Sequence, residues 1–171
     1  LGYCICGVIP NLIKGDFWGE VRLNGRAGIV FQDPDTQIFL TTVEDELAFA
    51  PENLCLSLDE IGTRIRQTLE LIGMAELRRA NPSQLSGGQK QLVALGGVLT
   101  LSPDILVLDE TLSQLDASAQ ESIRSLMLAL KREGKAIIMI EHDKRNLRIA
   151  DQVWRLDRQG MLQQVFFEGR T

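Results

Sequence analysis

The sequence predicts an α/β fold, a mainly parallel sheet flanked by helices with a small helical subdomain set into it. Three observations carry that prediction. The apolar runs at 28–31, 105–108 and 136–140 are short and continuous rather than alternating, as strands covered on both faces are. Amphipathic helical stretches separate the later runs, and strands alternating with helices build parallel sheets. Residues 42–80 are helical only, so they interrupt the alternation and are expected to form a lobe of their own. The expected layout is one domain over 1–171, with an α/β core from 1–41 and 102–171 and a helical subdomain from 42–101.

The elements follow in order. Leu1, Ile5, Val8 and Ile9 lie on a helical apolar stripe that Pro10 ends. Glu20-Val21-Arg22-Leu23 alternates polar and apolar and predicts a strand, with Asn24-Gly25 as a tight turn after it. The run at 28–31 predicts a buried strand that stops at Gln32-Asp33-Pro34, because proline has no N–H for a central ladder. Thr42 and Asp45 stand at capping-box spacing and open a helix over 42–50. Ser57 and Glu60 make a better box. The helix after them carries Ile61, Ile65, Leu69 and Ile72 on one face and stops at Gly73. A short turn or helix over 74–80 and the break at Asn81-Pro82-Ser83 lead to a helix over 88–101. The strand at 105–108 follows, then an amphipathic helix over 118–132 with Ile123, Leu126, Met127 and Leu130 inward, closed by Gly134. After the strand at 136–140, the runs 153–156 and 161–166 predict a hairpin around Arg158-Gln159-Gly160.

Composition removes several functions. A net charge of -5 offers no general attraction to nucleic acid, so no nucleic-acid partner is expected. No apolar run approaches the roughly 20 residues of a membrane-spanning helix. Cys4, Cys6 and Cys55 are odd in number and lack Cys-x-x-Cys spacing, which favours reduced, buried thiols in a cytosolic protein over a disulfide frame or zinc site. A single histidine excludes a multi-histidine metal centre.

Five local patterns could carry chemistry. Asp109-Glu110 ends the strand at 105–108 and so lies at the carboxyl edge of the sheet, where α/β proteins bind ligands. Asp109 could hold magnesium, which takes one or two carboxylates alongside phosphate oxygens; Glu110 could polarise a water. Ser86-Gly87-Gly88 precedes a helix, where backbone N–H groups and the dipole suit an anion. Gln32 sits where a buried strand becomes a loop, and its amide can reach a metal or a water. His142 follows the strand at 136–140 and could meet a phosphate oxygen or hold a catalytic water. Ser113-Gln114-Leu115-Asp116 could be a helix cap and nothing more. Each pattern alone is more often an ordinary turn, cap or surface side chain.

Together, in this order, they resemble the ATPase subunit of ATP-binding cassette transporters. The resemblance names Leu85-Ser86-Gly87-Gly88-Gln89 as the signature, Ile105 to Asp109 as the Walker B strand, Glu110 as the catalytic acid, Gln32 as the Q-loop, Ser113 to Asp116 as the D-loop and His142 as the switch histidine. It implies a P-loop NTPase (RecA-like) core. It also implies Glu110 and His142 as catalytic residues. Gln32, Ser86, Gly87, Gly88, Gln89, Ser113 and Asp116 would then contact nucleotide, and Asp109 with Gln32 would hold the metal. The cofactors implied are ATP and Mg2+. The partners implied are a second ATPase subunit, paired head to tail, and a transmembrane component docking near residues 32–52 at the cytoplasmic face of the cell membrane.

A narrower resemblance lies in Val30-Phe31-Gln32-Asp33-Pro34-Asp35-Thr36-Gln37-Ile38-Phe39, Thr42-Val43-Glu44-Asp45-Glu46 and Phe49-Ala50-Pro51-Glu52-Asn53-Leu54. These runs are similar to energy-coupling factor ATPases, which power importers of vitamins and metal ions. Soluble cassette ATPases of DNA repair or translation, and non-catalytic interaction subunits, share the signature; neither coiled coil nor duplicated domain accompanies it here. One departure stands out: the sequence holds no Gly-x-x-x-x-Gly-Lys-Ser/Thr, the phosphate cradle of such ATPases. The chain is therefore expected to be a piece that starts just after that cradle, and alone to neither bind ATP tightly nor hydrolyse it. Thr111 stands where the family often has proline.

Overall fold

The computed structural model describes residues 1–166. Three parallel strands form the central sheet in the order β1 (Ala27–Val30), β2 (Ile105–Asp109), β3 (Ala136–Ile140). Their register sets Val30 beside Leu108 and Asp109 beside Ile140, so all three strands end at one edge. Leu106, Val107 and Leu108 of the middle strand are buried, as a continuous apolar run between two covered faces requires.

The helices form for reasons visible locally. Thr42 caps α3 (Val43–Asn53) by accepting from the Asp45 N–H, and Ser57 caps α4 (Leu58–Leu71) through the Glu60 N–H. Ser86 caps α5 (Gly87–Leu99) in a full box: Gln89 N–H donates to Ser86 Oγ and Ser86 N–H donates to Gln89 Oε1. Asp116 caps α6 (Ala117–Arg132), and Gly134 takes a φ of 85° after its last turn, which a side chain would oppose.

One hydrophobic cluster runs through sheet and helices alike, joining Val30, Leu106 and Leu108 to Val43, Leu47, Ile61, Val93, Leu95, Ile123 and Met127. Leu47 and Leu95 are fully buried, and each such side chain stabilises the fold by roughly 2–3 kcal/mol relative to exposure. A Cβ on Gly96 would lie 2.8 Å from Leu47 Cδ2. The close approach of α3 and α5 thus explains a glycine in mid-helix, where it costs about 1 kcal/mol of propensity.

The structure departs from the expected elements in two places. The apolar stripe at the start is not one helix: α1 (Gly2–Ile5) ends at Cys6, Gly7 turns with φ 71°, and α2 (Val8–Asn11) is a separate turn that takes Pro10 inside it. A glycine free to adopt positive φ breaks the chain before the proline does. Residues 20–23 form no strand. Val21 and Leu23 stay 42% and 39% exposed, and alternation alone makes no strand without a neighbour to share its ladder. The hairpin is present as β4 (Val153–Leu156) paired antiparallel with β5 (Leu162–Val165).

Candidate functional site

The carboxyl edge of the sheet gathers most of the candidate residues. β2 delivers Asp109 at its last position, and the next residue, Glu110, takes φ 53°. Left-handed backbone at a non-glycine residue costs of order 1–3 kcal/mol and persists only where surrounding bonds over-determine it. Here Glu110 N–H donates to the Ile140 carbonyl at 3.0 Å, while the Glu110 carbonyl accepts from Ser113 N–H at 3.2 Å and Ser113 Oγ at 2.9 Å. The bend swings the Glu110 side chain toward β3, and His142 Nε2 lies 2.8 Å from Glu110 Oε1. Glu110 is 29% exposed and His142 83%, so the carboxylate sits in the wall and the imidazole on the lip. Both line an open cleft of about 270 Å³ with Ser113, Gln120, Glu141 and Asn146.

Gln32 joins the same group from β1. Its Nε2 donates to Ser113 Oγ at 3.3 Å, which leaves the amide oxygen without a partner among the described residues. The loop around Gln32 is fastened at several points. Phe31 N–H donates to Gln37 Oε1 at 2.8 Å, and the Phe31 carbonyl accepts from the buried Gln91 Nε2 at 3.2 Å. Asp35 pairs with Lys90 Nζ at 2.6 Å, and Glu46, only 8% exposed, accepts from the N–H groups of Phe39 and Leu40. Gln91 and Lys90 belong to α5, so the helix opened by Ser86 holds the Gln32 loop directly.

The two glycines after Ser86 have different tasks. A Cβ on Gly88 would stand 2.5 Å from Ala119 Cβ, so glycine there lets α5 start against the first turn of α6. Gly87 has nothing within 4 Å of such a position, and its N–H opens outward at a positive helix end. Ser86 is exposed. Among the described residues no hydrogen bond joins residues 86–89 to Glu110 or His142. The structure therefore gathers Gln32, Glu110, Ser113 and His142 into one bonded group beside Asp109, keeps Asp116 as the α6 cap, and sets Ser86 and Gly87 facing outward, apart from that group, with Gly88 turned against α6 and Gln89 bonded back to Ser86. Asp143 and Arg145 also line the cleft, where the side-chain and backbone hydrogen bonds of Arg145 hold the Asp143 carboxyl below the usual carboxylate range.

A family model described as ABC transporter matches residues 11–113, more than half of the chain and including the Gln32 loop, the Ser86 face and Asp109-Glu110. The chain belongs to the ABC transporter family. Within that family it is 43% identical over 151 residues to an energy-coupling factor transporter ATP-binding protein, EcfA, of Methanosarcina acetivorans, covering 88% of this chain and 55% of the relative. It is 45% identical over 136 residues to the EcfA of Carboxydothermus hydrogenoformans, covering 80% and 50%. Among solved structures it is similar to cbiO1 from Clostridium perfringens, part of the ABC transporter complex cbiONQ, with a TM-score of 0.68 and 37% identity over 75% of this chain and 52% of that one. The chain spans about half the length of these relatives.

Sequence reasoning missed the polar residues that fasten the loops around these candidates: Glu46, Gln91, Gln120, Arg124 and Asn146. Each is a polar side chain in or beside a helix that reads as surface until its partner is seen. Glu46, Gln91 and Asn146 are buried; Gln120 and Arg124 are half-buried.

Proposed function

We propose that these residues form the acid edge and the signature face of an ATP-hydrolysing subunit that powers an energy-coupling factor importer of a vitamin or metal ion. The observation that supports this most is the Glu110–His142 contact, made on the sheet edge that also holds Ser113 and Gln32. In this reading Glu110 accepts a proton from an attacking water. His142, through the Nε2 contact to Glu110 Oε1, orients that carboxylate beside the transferred phosphate. Asp109 and the free amide oxygen of Gln32 are the groups that would hold magnesium. One carboxylate and one neutral oxygen suit a hard ion that takes its remaining ligands from phosphate and water. When bound, that ion neutralises charge on the phosphates.

Ser86 Oγ spends a lone pair on Gln89 N–H, so its hydroxyl proton remains to donate. With the Gly87 N–H beside it, this face suits the terminal phosphate of an ATP held by a second subunit, paired head to tail. Among the described residues no helix is long and apolar enough to cross a membrane. A transmembrane partner docking near residues 32–52 accounts for Phe39, 62% exposed and stacked edge-on against Phe49 at 4.9 Å. The 171 residues contain no Gly-x-x-x-x-Gly-Lys-Ser/Thr, so on this reading they alone do not hold the triphosphate tightly.

Calorimetric titration of the 171-residue chain with Mg-ATP tests the last point: no low-micromolar affinity is expected, and finding one contradicts it. Co-purification of the gene product with a membrane component tests the importer role; a complex with nucleic acid instead would sink it.

A further inference from the structure

Glu110, Ser113 and His142 stand on loops that return from two different strands; Glu110 itself bridges them through its N–H to the Ile140 carbonyl and its carboxylate to His142, and a second link lies behind it. The first two turns of α6 face both. Gln120 Nε2 donates to two carbonyls of the loop after Glu110, Leu112 O at 3.0 Å and Leu115 O at 3.1 Å. Four residues on, Arg124 Nη1 donates to Asn146 Oδ1 at 2.8 Å. Asn146 is 1% exposed and closes the turn that follows His142, its N–H donating to the Asp143 carbonyl at 3.0 Å. Gln120 and Asn146 both line the cleft that holds Glu110 and His142. Arg124 Nη1 also reaches Gln120 Oε1 at 3.5 Å, and Arg124 Nε is steadied by Glu121 at 3.1 Å.

We propose that Gln120 and Arg124 are positioning residues for ATP hydrolysis: one face of α6 acts as a strut that fixes the Ser113–Asp116 loop and the His142 loop at one distance from each other. The proposal rests on the catalytic role given above to Glu110 and His142. The physical reason is spacing. Residues i and i+4 of a helix lie on the same face, so a rigid element carries both anchors. Two carbonyls held by a single primary amide cannot drift apart, and a half-buried guanidinium bonded to a buried amide loses more by moving than an exposed one does. Misplacing a catalytic group by about an ångström is enough to lower turnover by on the order of tenfold or more.

The test uses Gln120→Met and Arg124→Met, which keep bulk and helix propensity but remove the donors. Amide hydrogen exchange of the 171-residue chain should speed by about tenfold over residues 111–116 in the first variant and over 142–147 in the second, with β2 and β3 unchanged. In the complete gene product, kcat should fall about tenfold in each while KM for ATP stays within about twofold. Unchanged exchange overturns the proposal. So does faster exchange with unchanged kcat, or a kcat loss matched by global unfolding in a thermal melt. A wild-type protein with no turnover defeats the catalytic reading first. Accelerated exchange in that case makes the strut a packing device only, which overturns the positioning role as well.

Discussion

His142 Nε2 and Glu110 Oε1 stand 2.8 Å apart, though they leave neighbouring strands and are 32 residues distant in the chain. Their meeting depends on the parallel register that sets Asp109 beside Ile140 and on the left-handed backbone of Glu110. Under the proposed function, two side chains so joined would act as one unit in proton transfer. In the complete gene product, Glu110→Gln should lower kcat by about 10²–10³ with KM for ATP little changed. His142→Ala should lower kcat by a similar order. The double variant should lose little more than the worse single, because effects within one unit do not add. Steady-state kinetics on the four proteins would reveal independent roles if the losses multiplied.

The signature glycines should separate by stability. Gly88→Ala drives a methyl against Ala119, 2.5 Å away, and should destabilise by roughly 1–3 kcal/mol as α5 and α6 part. Gly87→Ala enters open space and should leave the melting temperature unchanged or slightly raised. Differential scanning calorimetry distinguishes them, and equal melting temperatures would mean that the α5–α6 contact is not tight.

Glu46 should anchor the Gln32 loop. Glu46→Ala leaves the Phe39 and Leu40 N–H groups without their acceptor and should cost about 1.5–3 kcal/mol in chemical unfolding. Glu46→Gln keeps an oxygen to accept and should cost less. Identical losses would show that the charge, not the acceptor, matters.

Acid should loosen the turn after His142. Asp143 caps that turn, and its carboxyl is held below the usual carboxylate range by the Arg145 guanidinium and by Arg145 N–H. A carboxyl with a depressed folded pKa contributes stability that is complete above its unfolded pKa and is lost as pH falls through the folded one. Carbon-detected NMR titration of Asp143 should give a midpoint below that of a free aspartate, rising in Arg145→Met. A midpoint that ignores the substitution would remove Arg145 as the cause.

Much of this was legible from the residues. The three sheet strands read as continuous apolar runs because both faces are covered, and α3 and α4 announced themselves through Thr42 and Ser57, both found as caps; Ser86 and Asp116 cap α5 and α6. The candidate site was legible as an order of motifs at strand and helix ends. The parts that failed depended on neighbours. Glu20 to Leu23 has the alternation of a strand but no strand beside it among the described residues, and Gly7 ended the first helix before Pro10 could. Gln120 and Arg124 look like solvent-side positions of an amphipathic helix; only the fold of two distant loops against that face reveals them.

The most direct test pairs this chain with a complete energy-coupling factor ATPase subunit whose own signature serine is replaced by arginine. The account predicts that adding the 171-residue chain restores ATP turnover, with the Ser86 face completing the site on the intact phosphate cradle, and that the Ser86→Arg form of the chain does not. No gain in turnover at saturating chain, or equal gain with Ser86→Arg, would contradict it.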